Sequence, residues 1–157
     1  MRPSLILAAA VTALTLFHPK AAHAAAQDAS IAVPDANGRK LCVLSVKGPY
    51  ATQKPGAGYL RFNTVVSCLR SKRSVTVRVH SELRGGPKIG PRPVVTQTDT
   101  TRTIRPGHKA VVSTPRSPGY HVRTDGWFIG YASARILRPG SGELASVQTP
   151  LAEVDIR

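Results

Sequence analysis

Beyond residue 40, hydrophobic and polar side chains alternate with the two-residue period of strands, and no stretch carries the 3.6-residue period of a helix. Residues 40–47 place Cys42, Leu44 and Val46 on one face. Residues 59–68 alternate more regularly. Leu60, Phe62, Thr64, Val66 and Cys68 share one face, and Arg61, Asn63 and Ser67 share the other. Residues 74–83 have the cleanest pattern, with Val75, Val77 and Val79 inward and Thr76, Arg78 and His80 outward. Apolar rows of this kind require a second layer to cover them.

Proline and glycine punctuate the pattern. Residues 49–58, with Pro55-Gly56, read as a loop, and residues 69–73 as a basic hairpin tip joining two strands. Residues 84–93 hold Gly85, Gly86, Pro87, Gly90, Pro91 and Pro93 and read as a long irregular segment, since its prolines cannot sit in a central strand. Residues 94–104 are Thr-rich and β-branched, which suits an edge strand. Residues 109–114 form a short strand after the turn at Arg105-Pro106-Gly107-His108. Residues 120–134 hold the single Trp, and Asp125-Gly126 is expected to split them as a hairpin or a bulge. One or two last strands fall within residues 143–156. Residues 25–39 lack periodicity and read as a flexible leader ending in a turn. Seven or eight short strands with this punctuation predict an all-β fold: one antiparallel β-sandwich domain over residues 40–157.

The two cysteines sharpen this reading. If the first two strands pair antiparallel, opposing Cys42 and Cys68 also opposes Leu44 to Val66 and Val46 to Thr64. One register then puts the sulfurs and the apolar side chains on the same buried face, and burial of one face specifies register strongly. A Cys42–Cys68 disulfide is expected.

The N-terminus supports that expectation by implying an oxidising destination. Arg2, an uncharged apolar run over residues 5–17, and Ala22-His23-Ala24 have the layout of a helical secretory signal peptide over residues 1–24, with a competing cut after Ala26. The run is shorter than the roughly 20 residues of a membrane span, and no second apolar segment follows. The mature chain is therefore expected to be released to the extracellular space or the cell envelope.

Charge brings in the partner. The formal net charge is +14, and removal of Arg2 and Lys20 with the leader leaves +12. Such a surface attracts anionic partners, whether nucleic acid, acidic wall polymers or anionic lipid, although it also keeps an exported protein soluble. Export argues against nucleic acid. The candidate anion-binding side chains are Arg70, Lys72 and Arg73 in the 69–73 tip and Lys88 and Arg92 in the 84–93 segment. A basic-Pro-Gly turn occurs at residues 54–56, 105–107 and 138–140, consistent with type II turn chemistry or with a positive rim of loops.

Catalytic chemistry finds few groups. Beyond the leader the histidines are His80, His108 and His121, and the acids number eight. No Gly-x-Ser-x-Gly elbow, phosphate loop or zinc-ligand spacing occurs. His80 and Glu82 share a strand face, where an ion pair is the simpler expectation than a metal site. No catalytic residue, metal or cofactor is expected, and the chain reads as a non-enzymatic binding protein. One rival is an inhibitor of another protein that presents residues 84–93 as bait. The other is a small hydrolase, which would need histidines and acids to meet in one pocket.

Leu41-Cys42-Val43, Val65-Val66-Ser67-Cys68, Ser74-Val75-Thr76-Val77-Arg78-Val79 and Pro118-Gly119-Tyr120-His121-Val122-Arg123 together resemble the small secreted β-sandwich proteins of actinobacteria. The likeness covers residues 40–135. It implies a fold and an address, with no catalytic residues to carry over. Antibody-type domains differ, because their cysteines bridge opposite sheets at longer spacing with the Trp between them. Here Trp127 lies outside the cysteine loop.

Overall fold

The computed structural model describes residues 28–51 and 58–155, so the expected leader helix and the Lys54-Pro55-Gly56 turn lie outside the described residues. The strands are β1 (Ala29–Pro34), β2 (Lys40–Ala51), β3 (Tyr59–Ser67), β4 (Val75–Gly86), β5 (Val94–Ile104), β6 (Lys109–Thr114), β7 (Tyr120–His121), β8 (Gly126–Arg138), β9 (Ala145–Gln148) and β10 (Ala152–Val154). All pair antiparallel in two sheets. Sheet A has the order β1-β2-β3-β6, and sheet B has the order β10-β8-β4-β5. The short strands β7 and β9 extend these edges: β7 follows β6 along β3, and β9 shares the edge of β8 with β10.

The alternation seen in the sequence is the alternation of burial. Leu44 and Val46 on β2, Phe62, Thr64 and Val66 on β3, and Val75, Val77, Val79 and Leu83 on β4 are all fully buried. They meet the inner row of β8, where Ala132, Ala134 and Ile136 are also buried. The two sheets thus cover each other's apolar faces, as a sandwich must.

The expected register holds. Leu44 opposes Val66 and Val46 opposes Thr64. Cys42 on β2 and Cys68, the residue just after β3, are bonded and both buried, with Cα atoms 4.2 Å apart. That spacing is close to the roughly 4.5 Å of a non-hydrogen-bonded antiparallel pair.

Several expectations are corrected. Residues 29–34 are not an irregular leader but strand β1, anchored by the buried Val33 opposite Cys42. Its burial does not alternate, since Val33 is buried while Ile31 two positions before it is exposed, so no two-residue period marks the strand in the sequence. Residues 69–73 are not a hairpin tip: β3 lies in sheet A and β4 in sheet B. Both edges of β3 are already taken, by β2 and by β6, so the chain has to cross between the layers.

The irregular segment is shorter than expected, because β4 continues to Gly86. Gly85 belongs to the strand because the Phe128 ring lies against it; an added Cβ would sit 2.5 Å from Phe128 Cε1. Residues 122–125 make neither a hairpin nor a bulge, since they carry the chain from β7 in sheet A to β8 in sheet B. The Thr-rich β5 is an edge strand, as expected. Ten strands, not seven or eight, occur among the described residues.

Candidate functional site

The strand pairings decide where the charged side chains collect. Because Pro34 opposes Lys40, Ser67 opposes Lys109, Val75 opposes Ile104 and Thr76 opposes Arg138, four connections emerge at one end of the sandwich. These are residues 35–39, 68–74, 105–108 and 139–144. They pack in pairs. The Cys68 N–H donates to the His108 carbonyl at 3.3 Å, and Gly142 lies against the backbone of Pro34 and Asp35.

Local chemistry shapes each connection. The Ser71 N–H donates to the Cys68 carbonyl at 3.1 Å, and the Ser71 hydroxyl accepts from the Arg73 N–H at 3.2 Å, so the basic segment is a built turn. Arg105-Pro106-Gly107-His108 closes with the His108 N–H donating to the Arg105 carbonyl at 3.1 Å, with Gly107 at φ 72° as a type II turn requires. Asp35 accepts from the Arg39 and Asn37 N–H groups and from Arg39 Nε, at 2.9, 2.9 and 3.1 Å. The Arg39 backbone N–H above all holds its carboxyl below the ordinary range, against the opposing effect of burial.

Asp35 is thereby committed to Arg39. Arg70, Lys72, Arg73, Arg105, Lys109 and Arg138, all exposed at this end, make no ion pair with the described residues. With Glu143 as the one other acid in these four connections, the end is a concentration of positive charge on turns and the strand ends beside them.

Of the sequence-derived candidates, the structure brings Arg70, Lys72 and Arg73 to this end and leaves Lys88 and Arg92 at the other. Residues 69–73 precede β4 and residues 88–92 follow it. The 12 residues of β4, at roughly 3.3 Å each, hold the two groups about 35 Å apart. Lys88 lies over the Trp127 ring, 4.8 Å from its centroid, and Arg92 donates through Nη2 to the Lys88 carbonyl. These two bases brace their own loop. Arg105 and Arg138 were legible as basic turns and Lys109 as the start of a strand, but not as neighbours of residues 70–73, since the non-local pairings of β5, β6 and β8 place them there.

The second charged constellation lies on the outer face of sheet B. His80 is held from both sides: Nδ1 is 2.9 Å from Asp99 on β5, and Nε2 is 2.8 Å from Glu82 on its own strand. Arg84 Nε donates to the other Glu82 oxygen at 2.7 Å, and the guanidinium lies over Tyr131. The hydrogen bond to Glu82 raises the His80 pKa against partial burial, with help from Asp99. Burial pushes Glu82 upward, but its bonds from His80 and Arg84 outweigh this and hold it below its ordinary value.

Ser133 opposes His80 on β8, so a serine, a histidine and an aspartate share one groove. The geometry is nonetheless that of an ion-pair network. With a carboxylate at each ring nitrogen, imidazolium is the favoured form, and no nitrogen is left to take a proton from Ser133. His108 bonds the Pro106 carbonyl in its turn, and His121 lies against Tyr59, so neither joins the groove. Among the described residues, no group of three or more His, Cys, Asp or Glu side chains is placed to hold a metal ion, and no helix is long and apolar enough to cross a membrane. No protein-family model matches the chain, and no curated protein matches it in sequence.

Proposed function

We propose that the protein is an exported, non-enzymatic β-sandwich that binds an anionic polymer of the envelope or extracellular space through its basic end. The observation that carries this reading is the convergence of Arg70, Lys72, Arg73 and Arg105 on preformed turns with Lys109 and Arg138 at the adjoining strand ends, none of them in an ion pair among the described residues. Fixed turns bearing like charges are unfavourable alone and are relieved by a polyanion that spans them. The signal-like leader and the buried disulfide support an extracellular address. The doubly engaged His80 supports a binding role over hydrolysis.

Retention on immobilised polyphosphate tests the reading. It should fall steeply between about 0.05 and about 0.5 M salt, because exposed charges are screened over that range. The triple variant R70Q/K72Q/R73Q should elute at clearly lower salt, and K88Q/R92Q should elute near the unmodified protein. Salt-independent retention, or equal losses in the two variants, would overturn it.

One observation favours a second reading. Ile89 is 89% exposed at the tip of a loop braced by Lys88 on Trp127 and by the Gly85 N–H bond to the Pro93 carbonyl, 3.2 Å. A braced loop offering one apolar side chain suits a protein that inhibits another. Proteases left uninhibited across a serine and cysteine panel, with free cleavage at residues 87–93, would sink this alternative.

A further inference from the structure

Arg78 and Arg135 stand directly opposite each other on β4 and β8, both exposed on the outer face of sheet B. Like charges in opposed positions of an antiparallel pair destabilise it. Neither arginine has a carboxylate partner among the described residues. Arg135 is nonetheless positioned: its Nε–H donates to the Gly142 carbonyl at 3.0 Å, which leaves its terminal Nη nitrogens for another acceptor.

The pair lines a groove of about 310 Å³ together with His80, Asp99, Ser133, Leu137 and Leu144. The acids beside it do not neutralise it. With His80 protonated, the charges of His80 and Arg84 balance those of Glu82 and Asp99, and the uncompensated charge is that of Arg78 and Arg135. Leu137 and Leu144 add an apolar wall, at 36% and 61% exposure.

We propose that this groove binds a phosphate monoester carrying a short apolar substituent, with the phosphate between Arg78 and Arg135 and the substituent on Leu137 and Leu144. A phosphate monoester brings about −1.5 to −2 charges and three acceptor oxygens, matching two guanidinium forks, whereas a carboxylate balances only one. Ser133 supplies a hydroxyl in the floor. The groove borders the basic end, since Gly142 and Leu144 belong to the 139–144 connection, but it takes a small ligand instead of a polymer, and the variants below tell the two readings apart.

Titration of the isotope-labelled protein by NMR with n-butyl phosphate, inorganic phosphate and n-butyrate tests it. Saturable shifts are expected at Arg78, Ser133, Arg135, Leu137 and Leu144. Butyl phosphate should bind several-fold tighter than inorganic phosphate, since each buried methylene contributes up to about fourfold. It should bind at least about tenfold tighter than butyrate, as a second charge-assisted contact requires.

Arg78→Gln, at an exposed position whose side chain bonds no described residue, should retain the fold and weaken butyl phosphate binding about tenfold or more. R70Q/K72Q/R73Q should leave this binding unchanged while losing polyphosphate retention, which separates the two sites. Butyrate binding as tightly as butyl phosphate, no gain over inorganic phosphate, an indifferent Arg78→Gln, or shifts spread without saturation over the basic turns would each overturn the assignment.

Discussion

Thr64 Oγ1 and Ser81 Oγ lie 2.9 Å apart in the middle of the sandwich, one from each sheet, and both residues are fully buried. The surrounding inner rows are almost wholly apolar, so each hydroxyl depends on the other. Thr64→Val should cost about 1–3 kcal/mol by leaving Ser81 unpaired. The double variant T64V/S81A should recover most of that loss, because removing both partners removes the unpaired group. Urea unfolding of the four proteins checks this. A double variant showing the summed loss of the two single variants would mean the hydroxyls are not coupled.

Gly130 on β8 provides the space for Phe62 from the opposite sheet. A Cβ there would sit 2.6 Å from Phe62 Cδ2, and Phe62 is fully buried, so the ring has little freedom to retreat. Gly130→Ala should therefore destabilise by about 1–3 kcal/mol through overpacking. Adding Phe62→Leu should make the alanine better tolerated than it is opposite Phe62. Thermal or denaturant midpoints read the difference directly.

The Cys42–Cys68 bond joins neighbouring strands of one sheet and closes a separation of 26 residues. In the chain-entropy treatment a loop of this size contributes about 3.5 kcal/mol, by restricting the unfolded chain. C42A/C68A should lower unfolding free energy by about that amount and retain the far-ultraviolet signature of strands, because a two-layer core remains. An unfolded double variant would show that the bridge is required for folding.

The His80 network predicts a window of pH. His80 has a raised pKa, so its contribution is complete below the ordinary value of 6.5 and is lost as pH rises through its folded value. Glu82 has a lowered pKa, so its contribution is complete above the ordinary value of 4.5 and is lost as pH falls through its folded value. The network should stabilise most between these limits. His80→Gln should flatten the decline on the alkaline side, as measured by denaturant midpoints across pH. An unchanged profile would mean that the network carries no pH dependence.

Much of the strand layer was legible because burial on one face writes a two-residue period into the chain. That period placed Val75, Val77 and Val79 inward, and with two cysteines it set the β2–β3 register to the residue. It missed β1, where Val33 is buried but Ile31 is exposed so that burial writes no period, and it misread Gly85 and Gly86 as a break when Phe128 requires glycine at the first of them.

The charged sites were less accessible. Arg70, Lys72 and Arg73 are visibly basic, yet whether they stand near Arg105 and Arg138 or near Lys88 and Arg92 depends on which sheet receives each strand. Arg78 was seen to face outward, but nothing local placed Arg135 beside it. Composition and alternation by themselves determined the all-β class, the buried faces and the disulfide, because these follow from side-chain polarity along a single strand. The tertiary structure alone decided the crossing at residues 69–73, the basic end and the Arg78–Arg135 pair. These rest on pairings between strands distant in sequence, and a period of two is the same whichever neighbour a strand acquires.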